Sequence, residues 1–433
     1  MVRFIDLFAG MGGIRKGLEQ AFNNMGVETT CVLTSEIKPS AIEVLRANHP
    51  NEVISGDICS IPSTDIPNFD ILLGGFPCQA FSAAGKRKGF MDTRGTLFFE
   101  VERILRDKKP FGFILENVEG LVNHDKVEKN APMGRTLETI LYKLEELGYN
   151  VNWKVLNSKD FGVAQERKRI IIVGTLTETI SLDNFPQRNQ TIGEILDYGQ
   201  DAPQSKLAQL LLAKFTPNEL YGKSIKDKRG GESNIHSWDL GLKGYVSKEQ
   251  ATLLNILFKE RRKKKWALEI GIDWMDGMPL TLEQIYSFYP KSNLKEMLDD
   301  LVSKGYLKLE HPKKKVIITN VLGSSSYREQ DESLPKGYNI VAGKLSYDIN
   351  KILDPNGIAP TMVAMDMQKN YVIDGNKLRR LTLREGLRLF GYPEDFQIPI
   401  NENKGYDLLG NTVVIPLIRA VAERLCEAYL RYV

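Results

Sequence analysis

The chain is expected to fold as a doubly wound α/β sheet with a second, smaller domain. Three observations lead there. Over residues 1–175, short apolar runs alternate with stretches whose apolar residues recur at helical spacing. Several of those runs stop at glycines or at a single acidic residue. The length, 433 residues, exceeds what one hydrophobic core usually serves.

Taken in order, residues 3–8 read as a strand and residues 13–22 as a helix with Ile14, Leu18, Ala21 and Phe22 on one face. Residues 29–34 form a second strand, and Pro39 suits the first turn of a helix running to about Asn48. Residues 71–73, 113–115 and 170–173 add strands, with helices near 96–105 and 135–147 between them. Strands separated by helices pair in parallel, so the sheet should be largely parallel.

Composition narrows the function classes. A net charge of +3 is too small to imply nucleic-acid binding, which must then rest on local clusters. Cys31, Cys59, Cys78 and Cys426 lie far apart without metal-ligand spacing, which points to a reducing compartment and away from zinc or disulfides. The first residues lack a basic segment followed by a long apolar one, so no signal peptide is expected. No apolar run reaches the roughly 18 residues that a membrane span requires.

In an open sheet, ligands gather beyond the carboxyl ends of the strands. The first strand carries Asp6 and runs into FAGMGG, where Gly10, Gly12 and Gly13 let the backbone approach a ligand; the spacing is not that of a dinucleotide loop. Glu36 follows the second strand and suits ribose hydroxyls, while Asp57, between Gly56 and Ile58, could accept from an exocyclic amine. The alternative is a plain turn for the glycines and helix caps for the acids. Together the three ends outline a nucleoside-bearing cofactor. The run at residues 71–73 ends at Gly74 and Gly75, after which Pro77 stiffens the stem ahead of Cys78 and a polar, basic loop. A lone cysteine is more often a small buried hydrophobe. Here Glu116 and Asn117 are expected at the equivalent end of another strand, and a carboxylate buried there must be partnered, protonated or catalytic. Residues 165–169, QERKR, place Arg167 and Arg169 on one face of an extended segment, though such a run is usually a solvated edge.

The ordered motifs DLFAGMGG (6–13), GGFPCQAFS (74–82), GTLFFE (95–100), ENV (116–118), QERKR (165–169), RRLTLREGLRLFGYP (379–393) and GNTVVIP (410–416) resemble those of DNA (cytosine-5) methyltransferases of the bacterial restriction-modification type. The resemblance covers the first 175 residues and about the last 60. It implies a Rossmann-like methyltransferase catalytic domain with S-adenosylmethionine as donor and S-adenosylhomocysteine as product. It implies a donor pocket of Phe8, Gly10, Gly12, Gly13, Ile14, Glu36, Ile37, Asp57, Ile58, Pro77, Leu97, Asn411 and Thr412, with Glu36 on the ribose and Asp57 on the adenine. Catalytic roles fall to Cys78 as nucleophile, Glu116 on the ring nitrogen and amine of cytosine, Arg169 on its oxygen, and Arg167 orienting the acid and lowering the thiol pKa. The base must be flipped out of the duplex, with Gln79, Ser82, Lys86, Arg87, Lys88, Arg94 and Gln165 facing DNA. No metal is implied. Thr412 stands where serine is commoner, Ala83 and Ala84 where some relatives carry serine, and Ala164 where many have proline.

The expected domains are 1–175, catalytic; 176–377, target recognition; and 378–433, whose last helix, about 413–432, returns to the catalytic sheet. In the middle segment a helix at 251–259 runs into RRKKK at 261–265, where phosphate contact is expected. Residues 250–321 read as a winged-helix-like submodule, with helices at 280–289 and 292–305 and a hairpin at 306–321. Leu294, Met297, Leu298, Leu301 and Val302 form the apolar face of its second helix, which also carries Glu296, Asp299 and Asp300. Lys313, Lys314 and Lys315 in the hairpin are the better DNA candidates; the alternative is an insert that only braces the recognition domain. The expected protein is a cytoplasmic monomer acting on duplex DNA, with a restriction endonuclease acting separately. The alternatives are a tRNA cytosine-5 methyltransferase, against which the long middle segment speaks, and a non-catalytic DNA-binding protein of the same fold, which would have no need of Cys78.

Overall fold

The computed structural model describes residues 1–76, 97–128, 130–227, 233–272, 277–320, 323–341, 347–364 and 366–433, with side chains left out at 318–320 and 323–326. Pro77, Cys78, Gln79, Ser82, Lys86, Arg87, Lys88 and Arg94 therefore lie outside the described residues.

Seven strands form the main sheet: β1 (Val2–Leu7), β2 (Thr29–Ser35), β3 (Ile54–Ser55), β4 (Ile71–Gly74), β5 (Gly112–Val118), β6 (Asn150–Asn157) and β7 (Lys168–Thr175). Their spatial order is β3-β2-β1-β4-β5-β7-β6. β1 to β5 pair in parallel, but β7 enters antiparallel between β5 and β6. The sheet is thus mixed at one edge. β6 was missed although Asn150 to Val155 alternate polar and apolar residues, the pattern of a half-exposed edge strand and unlike the continuous apolar runs of the central strands. β5 continues to Val118, so Glu116 and Asn117 lie within a strand rather than past its end.

Alternation within the strands produces two apolar layers. Phe4, Ile71, Leu73, Ile114, Ile171 and Val173 face one side, with Leu18 and Phe22 of α1 (Gly13–Asn24), Val44 of α2 (Pro39–Asn48) and the helix Ile415–Tyr432. Ile5, Leu72, Phe113, Leu115, Ile170 and Ile172 face the other, with Val101 of α3 (Leu97–Lys108) and Ile140 of α4 (Arg135–Glu146). A strand buried on both faces needs near-continuous apolar sequence, which is why ILLG and RIIIVGT read so clearly. Gly17 lets α1 approach the last helix: a Cβ there would lie 2.7 Å from Ile418.

The chain divides into two compact units. One comprises 1–200, 353–372 and 380–433; the other comprises 201–352 and 373–379. The first boundary falls 25 residues beyond the expected end at 175, and 353–372 belongs with the first unit, because Ala359 and Met362 fill its core. In the second unit, the helices Lys248–Glu260, Leu282–Phe288 and Leu294–Ser303 pack through Leu253, Leu257, Ile285, Leu298 and Leu301. Arg261, expected at phosphate, is instead buried against the Phe258 ring with Nη1 donating to Asn339 at 2.6 Å. The hairpin expected at 306–321 does not form within those residues. The strand Leu307–Glu310 pairs with Gly337–Ile340, and Lys313–Asn320 pairs with Gly323–Gln330.

Candidate active site

The order of the sheet puts its switch point at β1, whose carboxyl end opens into the glycine loop. Phe8, Gly10 and Gly12 take positive φ of 57°, 56° and 76°, so the loop coils tightly before α1. A Cβ on Gly10 would meet nothing within 4 Å, leaving open space over its backbone. One on Gly13 would lie 2.8 Å from Val413 and 3.0 Å from Thr412 Oγ1, so the segment after the helix Glu402–Asn411 closes directly against the loop. Thr412 Oγ1 is 2.6 Å from the Tyr392 hydroxyl, while Asn411 is exposed and donates to Asp407 O.

Glu36 is held by backbone. Its Oε2 accepts from Gly10 N at 2.7 Å, and Oε1 accepts from Ile37 N and Lys38 N at 2.8 and 2.7 Å. The acid thus joins the β1 loop to the turn that leads into α2, as a carboxylate fixed by backbone. Ile37 beside it is 69% exposed. Asp57 caps the turn Ile58–Ser60, with Oδ1 accepting from Cys59 N at 3.0 Å. Ile58 and Ile14 are buried beneath, and Leu97 opens α3.

A second group stands at the end of β5. Val118 pairs in register with Arg169, so Glu116, two residues back, is the diagonal neighbour of Arg169 on the same face. Arg169 Nε lies 2.9 Å from Glu116 Oε1, with side chains 15% and 12% exposed, and Nη1 donates to Lys168 O at 2.7 Å. Burial raises the pKa of Glu116 above the usual carboxylate range, against the opposing pull of Arg169 and Arg167. Gly75, at the end of β4, comes so close that a Cβ there would lie 3.9 Å from Glu116 Oε2. Asn117 fixes the same stem, donating from Nδ2 to Phe76 O at 3.2 Å. Its role was not read from the sequence, though its place in ENV was the available signal. A cleft of about 730 Å³ opens here, lined by Val118, Glu119, Lys168, Arg169, Pro360 and Thr361 among others.

Two residues depart from their expected roles. Gln165, expected at DNA, is fully buried: its amide nitrogen donates to Leu389 O at 3.1 Å and its oxygen accepts from Met362 N at 3.2 Å. Arg167 is 2% exposed, and its hydrogen bonds run to Met362 O, Gly410 O and Thr412 O at 2.7, 3.1 and 2.8 Å, with the guanidinium over the Phe390 ring. Arg169, not Arg167, holds the acid; Arg167 clasps the returning chain beside it.

The C-5 cytosine-specific DNA methylase family model matches residues 2–427. The chain is 60% identical over 424 residues to the Type II methyltransferase M.NlaIV of Neisseria lactamica, covering 98% of each. It is 58% identical to M.NgoBV of Neisseria gonorrhoeae, again over 98% of each, and 42% identical to M.BanI of Aneurinibacillus aneurinilyticus, over 98% of this chain and 96% of that one. In fold it is similar to the S. pombe Dnmt2 methyltransferase, with a TM-score of 0.54, 15% identity and 99% of each chain covered. It is also similar to the Entamoeba histolytica methyltransferase EhMeth, with a TM-score of 0.53, 17% identity and 99% of each chain covered. The motifs, the fold and these matches agree, and the chain belongs to the C-5 cytosine-specific DNA methylases: it is a DNA cytosine-5 methyltransferase.

Proposed function

We propose that the enzyme transfers a methyl group from S-adenosylmethionine to carbon 5 of a cytosine flipped out of duplex DNA, through a transient bond between Cys78 and carbon 6. The observation that carries this reading is the Glu116–Arg169 pair beside the stem that leads to Cys78. The donor pocket fits a nucleoside bearing a charged tail. Glu36 keeps lone pairs for ribose hydroxyls while three backbone N–H groups hold it still, and the space above Gly10 admits a ligand against the backbone. Asp57 retains its second oxygen for an exocyclic amine, and Ile37 offers an apolar face to adenine. When bound, the donor supplies an electrophilic methyl group.

Carbon 5 of cytosine is a poor nucleophile, and a thiolate adding at carbon 6 makes it enamine-like. The electron pair displaced toward ring nitrogen 3 needs a hydrogen-bond donor there. Glu116, its pKa raised by burial, is suited to present a proton at that atom. Arg169 steadies the acid through Nε and keeps Nη2 for oxygen 2 of the base. After transfer, loss of the carbon 5 proton restores the ring double bond and expels the Cys78 thiolate. A stacked base cannot reach these groups, so flipping precedes chemistry. The Type II relatives support a role in restriction-modification, with methylation confined to one short motif and an endonuclease acting separately.

The test is to incubate the protein with S-adenosylmethionine and unmethylated duplex DNA, then map 5-methylcytosine at single-base resolution. One short modified motif is expected. Cys78→Ala should retain duplex binding while losing turnover by about 10³-fold or more. A duplex with 5-fluorocytosine at the target should trap the wild type covalently, since the fluorine cannot leave as a proton. Methylation by Cys78→Ala, or modification of RNA alone, would overturn the reading.

A further inference from the structure

The second unit contains an arrangement that this chemistry does not use. The helix Lys248–Glu260, the Leu280 bridge to Tyr338, the helices Leu282–Phe288 and Leu294–Ser303, the strand Leu307–Glu310, a long hairpin and the strand Gly337–Ile340 follow one another. That is the order of a winged helix, with Lys313–Asn320 and Gly323–Gln330 as the wing. In helix-turn-helix proteins the second helix of the pair usually enters the groove. Here that helix, Leu294–Ser303, is acidic. Asp299 holds Lys295 at 2.6 Å and accepts from the Tyr338 hydroxyl at 2.8 Å, and Asp300 accepts from Lys304 and Gln250 at 2.6 Å each. With Glu296 alongside, it would meet phosphates with like charge.

The wing has two unlike faces. Side chains directly opposite in an antiparallel pair share a face, and successive pairs alternate. Lys314, Val316, Tyr327 and Glu329 share one face, where Lys314 lies 3.8 Å from both Glu329 and Asp331. The other face carries Lys313, Lys315, Ile317, Arg328 and Gln330, with no acidic residue at any register position. Among the described residues this hairpin pairs with no third strand, and it leaves Ile317 62% and Tyr327 48% exposed. A hairpin of two strands alone is marginally stable in water, so a bound partner would also brace it.

We propose that the wing lies along the sugar-phosphate backbone of duplex DNA with its Lys313, Lys315 and Arg328 face, and that the helix Leu294–Ser303 stays out of the groove. This rests on the assigned DNA substrate and adds where part of its affinity arises. The test uses the full-length protein and a duplex carrying the methylated motif, with Kd measured from about 50 to 200 mM salt. Each lost phosphate contact lowers the slope of log K against log salt by about 0.9. Lys313→Ala/Lys315→Ala/Arg328→Ala should flatten the slope by about 2–3 and weaken binding about 10- to 100-fold at the low-salt end, while Lys314→Ala changes neither. If the triple variant melts below the wild type, Lys315→Gln alone should flatten the slope by about 0.9. An unchanged slope, or an equal effect from Lys314→Ala, overturns the proposal while methylation by the wild type still stands. A wild type that binds no duplex would overturn the substrate reading instead.

Discussion

Burial alters the chemistry of Asp6. It is 1% exposed at the end of β1, and its Oδ2 has no hydrogen-bond partner among the described residues. Burial pushes its pKa from an ordinary 3.8 up to about 8, with the Arg15 guanidinium opposing. The folded protein therefore keeps a proton there that the unfolded chain has released. This contribution to stability is complete below about pH 4 and is lost as pH rises through about 8, at up to about 1.4 kcal/mol per pH unit. Asp6→Asn removes the titration. Its unfolding free energy, measured by denaturant at pH 5 and pH 8, should gain on the wild type as pH rises; parallel pH profiles would contradict the assignment. At this scale the sequence was a good guide to acids at strand ends and a poor one to partners. Glu36 stands where the end of its strand was read, and Glu116 lies within β5, two residues before its end at Val118. By contrast, Gln165 was expected at DNA and Arg167 beside the acid, because the carbonyls they serve lie about 195 to 245 positions further along.

Among the elements, α1 packs closely on the helix Ile415–Tyr432. Gly17 has no room for a methyl group, since a Cβ would lie 2.7 Å from two carbons of Ile418 and 3.1 Å from Arg419 N. Alanine would gain roughly 0.5–1 kcal/mol of helix propensity, but overpacking costs about 1–3 kcal/mol. Because the clash involves a β-branched residue and backbone, the net change should be destabilising. Gly17→Ala should lower the denaturation midpoint, and in a cycle with Ile418→Ala, which removes the clashing Cγ2 but leaves Cβ, the two losses should sum to more than the loss of the double variant; strictly additive effects would place the strain elsewhere. Elements with strong periodicity were legible, as α1, α2, β4 and the last helix demonstrate. β6 was missed despite its alternation, because half of its residues are polar, and Gly323–Gln330 was missed because GSSSYREQ lacks alternation and stands opposite a strand rather than in a core.

For the whole molecule, the first unit is assembled from three separate stretches of chain, and Arg167 binds two returning segments to the first. Its three carbonyl acceptors come from residues 362, 410 and 412. Arg167→Lys keeps the charge but not the fork that reaches all three. We expect a loss of about 2–4 kcal/mol in stability, from hydrogen bonds to a charged group at roughly 1.5–3 kcal/mol each. Donor affinity, measured by calorimetry without DNA, should weaken at least tenfold because Thr412 closes on Gly13. If Arg167 instead acted on the base, donor affinity would hold and turnover alone would fall. That dependence on distant chain was not legible in the sequence, where only the family motifs joined the two ends.

The wall that Thr412 builds against Gly13 also sets a clock for the proposed donor pocket. Thr412 leaves the ribosome about 380 residues after Glu36. At roughly 5–20 residues per second, a growing chain would carry the glycine loop for about 20–75 s before its closing wall existed. The proposed pocket would therefore close only once Thr412 had been made, however early the sheet had folded.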